Sequence, residues 1–245
     1  SLRGAGAPPA LPETHEAASD HHGVASFDLL QLAPATRYAY EVTIDGADPL
    51  DGAFRTFGEG PWSFRIAFSA CADTGSASGV FDAIGDVQPD LFIHTGDIHY
   101  EDISRDEPER FRRAFDAVMA SPTQSRLYRS VPIAYTWDDH DFGGNGSDAS
   151  STAGPAALTV YRQVVPHYPL EHHGAAGISQ AFTIGRVRVV MTDSRSQRTS
   201  SRRPPLARTM LGATQLQWLK DELSAAAGAP LVIVGYSNGG ALGVN

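Results

Sequence analysis

The order strand, helix, strand between Phe64 and His94 constrains this chain more than any other feature. Phe64–Phe68 reads as an extended run, and Asp90–His94 reads as another. Between them, Gly79–Gln88 carries Val80, Phe81, Ile84 and Val87 at helical spacing. Two strands joined through one helix form a βαβ unit, with parallel strands and a right-handed crossover. The alternation continues. Pro108 opens a helix through Ala120 with Phe111, Phe115, Val118 and Met119 on one face. Val131–Trp137 and Arg186–Thr192 read as strands. Gly212–Ala226 reads as a helix with Leu216, Leu219 and Leu223 apolar, and Leu231–Val234 as a last strand. The fold class is therefore α/β, a sheet with helices on its faces.

Ligands of open α/β sheets bind beyond the carboxyl ends of the strands. The first strand here is followed by Ser69-Ala-Cys71-Ala-Asp73, the second by Thr95-Gly96-Asp97-Ile-His99-Tyr100, the third by Trp137-Asp138-Asp139-His140-Asp141. Unpaired, so many acids repel one another, and a multivalent cation relieves the repulsion. Gly96 lets the backbone turn sharply off its strand. Asp97 offers two oxygens that can bridge two cations, and Tyr100, one turn later, can return to the same side. A ferric ion would lower the phenol pKa far below its usual value. In the acidic run one carboxylate can bind a hard cation and His140 can reach a phosphoryl group. A charge run is more often a solvated loop, but Trp137 and the buried strand before it argue against that here. Cys71 is the one cysteine, so an internal disulfide is excluded. Thiolate suits iron, and so does oxygen. Cys71 is favoured over Asp73 because it sits at the strand end, but either can serve.

The chain has 245 residues, 42% of them apolar, enough for one sizeable core or one core plus a small module. No apolar run approaches the ~18 residues that cross a bilayer. The net charge of −9 argues against a nucleic-acid partner. Residues 1–22 read as an irregular lead-in, and Ser1–Pro12 lacks the charged-then-apolar pattern of a signal peptide. Residues 23–58 read as a β module: Tyr40, Val42 and Ile44 alternate, Asp45-Gly46 marks a turn, and Phe54–Phe57 closes it. Its Leu32-x-Pro34-x-Thr36-x-Tyr38 run resembles the end of a fibronectin type III/Ig-like sandwich, where a tyrosine hydroxyl bonds back to the backbone at a corner. A two-stranded extension packed on the main domain is the plainer alternative. Arg198, Arg202, Arg203 and Arg208 lie in a Ser/Pro-rich stretch that reads as a solvated loop, although it can draw in anions.

Taken together, Ser69-Ala-Cys71, Gly96-Asp97-x-x-Tyr100-Glu101, Trp137-Asp-Asp-His-Asp141, Thr192-Asp193-Ser-Arg195 and Leu211-Gly-x-x-Gln215-x-x-Trp218-Leu219 stand in an order that resembles the alkaline phosphatase D (PhoD-like) metallophosphoesterases. These are related to the purple acid and calcineurin-like phosphoesterases. The resemblance runs from about Gly23 to Gly235. It implies a calcineurin-like metallophosphoesterase domain over 62–245, with Cys71, Asp97 and Tyr100 binding Fe(3+) and Asp97 bridging to a second ion, Ca(2+) or another divalent metal, held by Asp139. His140 would be catalytic, and Asn145 and Arg195 would touch substrate. For Arg195 a structural salt bridge is an equal alternative.

The activity implied is hydrolysis of phosphomonoesters or phosphodiesters at alkaline pH by metal-activated hydroxide. The partner is a small phosphate ester, and the location secreted or periplasmic. Motifs that the family carries nearer its C-terminus are not found before Asn245, so the domain is expected to lack its C-terminal part. Two other readings stand beside this one. They are a phospholipase D-like phosphodiesterase on the same site, and a truncated non-catalytic binding protein that keeps the fold.

Overall fold

The computed structural model describes residues 2–4, 16–20, 22–170, 177–229 and 231–235. The rest of the lead-in, the stretch Ser237–Gly240, and His15, His21, His172 and His173 lie outside the described residues.

The strand–helix–strand unit is present. β4 (Ile66–Ser69), β5 (Leu91–His94) and β6 (Ile133–Tyr135) form a parallel sheet in that order, with α1 (Val80–Asp86) between the first two strands. Instead of one central sheet the described residues of this part form two. β7 (Gln180–Ile184) pairs antiparallel with β8 (Val187–Met191), which pairs parallel with β9 (Leu231–Gly235). The two sheets are packed through one apolar cluster: Leu91, Ile93 and Ala134 from the first meet Phe182, Ile184, Val187, Val189 and Met191 from the second. Period-two alternation sorts β5. Its other face, Phe92, packs with Phe81, Leu127 and Val131 toward α1 and α3 (Pro122–Ser130). Each large apolar side chain buried this way contributes roughly 1.5–3 kcal/mol.

α2 (Pro108–Ala120) starts at its proline and buries Phe111, Ala114, Phe115 and Val118 against α5 (Gly154–Val164). Met119, expected on that face, is 46% exposed, because it lies about 100° round the helix from Val118. α6 (Gly212–Ala225) differs more. Leu216 and Leu223 are exposed, and the buried face is Gln215 and Trp218. Arg188 of β8 pairs with Glu222 at 2.7 Å, so this helix meets its sheet partly through polar contacts. α3, α5, β7 and the short helix α4 (Asp139–Phe142) were not expected from the sequence.

The front of the chain is a separate antiparallel sheet: β1 (Leu2–Gly4), β2 (Arg37–Val42) and β3 (Leu50–Arg55). Residues 1–22 are thus not wholly irregular, since the free edge of β2 is paired by Leu2–Gly4. The Ala33 N–H donates to the Tyr38 hydroxyl at 2.9 Å, making a tyrosine-pinned corner. The Tyr40 hydroxyl donates to the Arg129 carbonyl at 3.0 Å, which ties β2 to the end of α3.

His94 points into the α1/α3 side of its sheet, beside the rings of Phe92 and Tyr135, and neither ring nitrogen has a hydrogen-bond partner among the described residues. Burial pulls its pKa down from 6.5 to about 4. Between those values the unfolded chain takes a proton that the folded chain refuses, so stability falls as pH drops from 6.5 toward 4. Urea melts of His94→Leu against the parent should show the variant gaining roughly 2–3 kcal/mol at pH 4.5 relative to pH 7.5. Parallel pH profiles for the two proteins would refute this account.

Candidate metal centre

Hydrogen bonding between the parallel strands does not stop at their ends. Thr95 N–H donates to Ser69 O at 2.8 Å, Cys71 N–H to Gly96 O at 3.0 Å, and Ala72 N–H to Asp97 O at 2.8 Å. The first two ligand loops are therefore zipped together. Gly96 turns at φ 115°, as its lack of a side chain permits, but Cys71 (φ 61°) and Asp97 (φ 54°) also occupy the left-handed region. For residues with a Cβ this costs on the order of 1–2 kcal/mol each, and such strain gathers at functional sites.

The third loop is drawn in by Asp141, which sequence reasoning gave no role. Its buried carboxylate accepts from Asp97 N–H at 2.5 Å, Ile98 N–H at 2.8 Å and Asp138 N–H at 2.9 Å. Burial pushes its pKa up to about 7, although these donors pull the other way. The signal was available as an acid three residues past the strand-end Asp138, the position that reaches back to a helix start.

Asp97, 2% exposed, sits at the centre. Its Oδ2 faces the Cys71 thiol at 3.5 Å and the Tyr100 hydroxyl at 3.3 Å. Its Oδ1 accepts from the His140 backbone N–H at 3.3 Å. Ligand atoms of Asp97, Asp139 and His140 lie within 4.8 Å of one another, a spacing that could hold a metal ion. The tips thus bring Cys71, Asp97, Tyr100, Asp139 and His140 together. Asp73 is exposed, and His99 turns into the core against Phe111 and Phe115.

His140 is held on both sides. Its ring lies 4.2 Å from that of Tyr100, and Nδ1 is 2.8 Å from Asp102 Oδ1. The Asn145 backbone N–H donates to the same Asp102 oxygen at 2.8 Å, which leaves the Asn145 side chain exposed at the rim. Asp102 was missed in the sequence, since nothing in its spacing marks it.

Arg195 takes the salt-bridge place. It is 1% exposed, bonded to Asp138 and, at 3.4 Å, to Asp139, and it donates to Ser147 O at 3.1 Å. Its guanidinium faces carboxylates and a carbonyl. Asp193 holds the end of β8 beside this pair: it accepts from the Trp137 indole N–H at 2.7 Å, and its own backbone N–H donates to Gln215 Oε1 at 2.8 Å.

The electrostatics favour a cation. Burial, then the charges of Asp141, Asp138 and Asp139, raise the Asp97 pKa to about 6. Cys71 and Tyr100 are exposed at the surface, yet partial loss of water around the thiol and phenol comes first again, and both are held above their usual values with Asp97 adding to the rise. Four carboxylates, a thiol and a phenol crowd together against one histidine and one buried arginine. A multivalent ion would reverse each of these shifts.

The profile of the PhoD-like phosphatase family matches residues 66–235. The chain belongs to the PhoD-like phosphatase family. Among solved structures it is similar to PhoD, with a TM-score of 0.70 and 20% identity over 83% of this chain and 47% of that one. It is also similar to a purple acid phosphatase from yellow lupin (Lupinus luteus) seeds, with a TM-score of 0.53 and 15% identity over 83% of this chain and 36% of that one. These likenesses show the fold, and the chain spans less than half the length of either protein. No curated protein matches the chain. No described helix is long and apolar enough to cross a membrane.

Arg195 carries a structural prediction. Arg195→Met should lose about 3–5 kcal/mol, because it leaves Asp138 and Asp139 buried and charged without their guanidinium. Arg208→Met in the exposed loop should change stability by no more than about 0.5 kcal/mol. Chemical denaturation of both variants decides it; similar small losses would show that the buried pair is not structural.

Proposed function

We propose that this chain hydrolyses small phosphate esters at the cluster around Asp97, at alkaline pH, with Fe(3+) beside Cys71 and Tyr100 and a second hard cation, Ca(2+), beside Asp139. The observation that carries the reading is the division at Asp97: one oxygen faces a thiol and a phenol, the other faces the His140 loop. The donor sets differ accordingly. Thiolate and phenolate suit a strongly polarising transition metal. Carboxylate and backbone oxygen suit a hard divalent ion. Family membership supports the class of reaction. Bound cations would supply neutralisation of phosphoryl charge and a water of lowered pKa.

The chain's own residues do the rest. Asp102 and the Tyr100 ring fix the His140 imidazole, with Nδ1 occupied, so that Nε2 is the nitrogen left to meet the substrate. From there it steadies the phosphoryl oxygens or gives its proton to the departing alkoxide oxygen. Asn145 lies at the rim, where its side chain can meet the ester. Arg195 acts as a positioning residue, setting Asp138 and Asp139. Export from the cytoplasm belongs to the same proposal, as does a kinship of residues 23–58 to half a fibronectin type III-like sandwich. The Ala33–Tyr38 corner supports the latter.

The test is turnover of a chromogenic phosphomonoester and a phosphodiester by protein purified without chelators. His140→Ala should lose ~100- to 10,000-fold in turnover while keeping the iron beside Cys71 and Tyr100. Equal turnover would remove His140 from the reaction. The parent should absorb visible light through tyrosinate bound to ferric iron. Tyr100→Phe and Cys71→Ala should lose or shift that band, and Asp73→Ala should keep it. A colourless, iron-free parent would sink the iron assignment, and loss of iron in Asp73→Ala would move the ligand from Cys71 to Asp73.

A further inference from the structure

The parallel sheet has a second pole. A cavity of about 500 Å³ opens at the amino-terminal ends of its strands, away from the metal ligands. Arg65, Asp90 and Pro132, the residues that immediately precede β4, β5 and β6, line one wall, and Arg37 and Arg55 from β2 and β3 line the other. The volume lies in the range of small-molecule sites.

Its charge is out of keeping with the chain. Three arginines stand against one carboxylate, an excess of two positive charges (3 − 1) in a protein of net charge −9. Arg37 and Arg55 are register partners across β2 and β3, and like charges directly opposite destabilise a strand pair. Asp90 balances them only in part. Its single charge can offset only one of the three: one oxygen accepts from the Arg65 backbone N–H at 3.0 Å, and the other is ion-paired with Arg55 at 3.5 Å. Arg37 has no ion pair among the described residues. Phe64 and Pro132 give the cleft apolar surface beside the guanidinium groups.

We propose that this cleft is a second ligand site, for a small organic dianion of the phosphomonoester or phosphonate type. The guanidinium groups, in excess of Asp90 by two charges, match the charge of such a group above its second pKa of ~6. Their planar forks match its oxygens. The apolar wall takes the organic portion. The inference does not rest on the hydrolytic reading of the Asp97 cluster.

Calorimetric titration of the full chain with phenylphosphonate tests it. To silence the metal centre, the titration is run on Asp97→Asn. A saturable uptake should remain there, and adding Arg37→Gln with Arg55→Gln should weaken it at least tenfold. Should that pair fail to fold, Arg37→Gln alone, at an exposed position, should still weaken uptake severalfold. Inorganic phosphate and the monoanion benzenesulfonate should both bind more weakly than phenylphosphonate. Uptake that vanishes in Asp97→Asn, or that ignores the arginine changes, would overturn the site. Equal binding of inorganic phosphate would overturn its organic character, and equal binding of benzenesulfonate its preference for two charges.

Discussion

The arrangement of the candidate metal centre depends on one buried carboxylate. Asp141 accepts backbone N–H groups from both the Gly96–Tyr100 loop and the Trp137–His140 loop. Each loop leaves its strand with donors that no ladder can satisfy, and a buried N–H without a partner costs about as much as a lost hydrogen bond. Asp141 satisfies them together, and in doing so brings Asp97 against His140. Hydrogen bonds to an ionised acceptor are the strong ones, which is why an acid serves here rather than a neutral side chain. The cost is a further negative charge next to a site already rich in them.

Nothing in an apolar core asks for Asp97, Asp138, Asp139 and Asp141 to lie together. The fold holds them there with strand-like bonds between loops, with two left-handed residues, and with a buried arginine. A structure that keeps four acids close by such means is prepared for positive charge from outside. Arg195 supplies part of it from within, bonded to Asp138 and Asp139.

Much of this was legible in the residues. β4, β5, the start of α2 and the tips bearing Cys71, Asp97, Tyr100, Asp139 and His140 follow from period, proline position and chemistry after each strand. The second sheet did not. β7 alternates, but two of its inward residues are Gln180 and Phe182, and a buried glutamine reads as a surface residue in a sequence. α5 buries Ala156 and Ala157, too small to signal a helical face. α6 misled for the opposite reason: Leu216 and Leu223 face solvent, while Gln215 bonds the backbone of Asp193 and Trp218 is buried. Tertiary hydrogen bonds decided these faces, and hydrophobic period cannot report them. Asp102 was invisible as a site residue because its role is a relation between distant loops, whereas Asp141 was legible only as a helix-start acid, its hold on the Asp97 loop lying outside any local spacing.

The sorting of β5 carries a consequence beyond packing. Leu91 and Ile93 face one layer, and Phe92 faces the other. Sliding this strand by a single residue would exchange those faces, and it would carry Asp97 by about 3.3 Å along the strand axis. The greasy middle of the protein thus works as a vernier. By permitting one alignment of a four-residue strand, it sets the position of a carboxylate that it never touches.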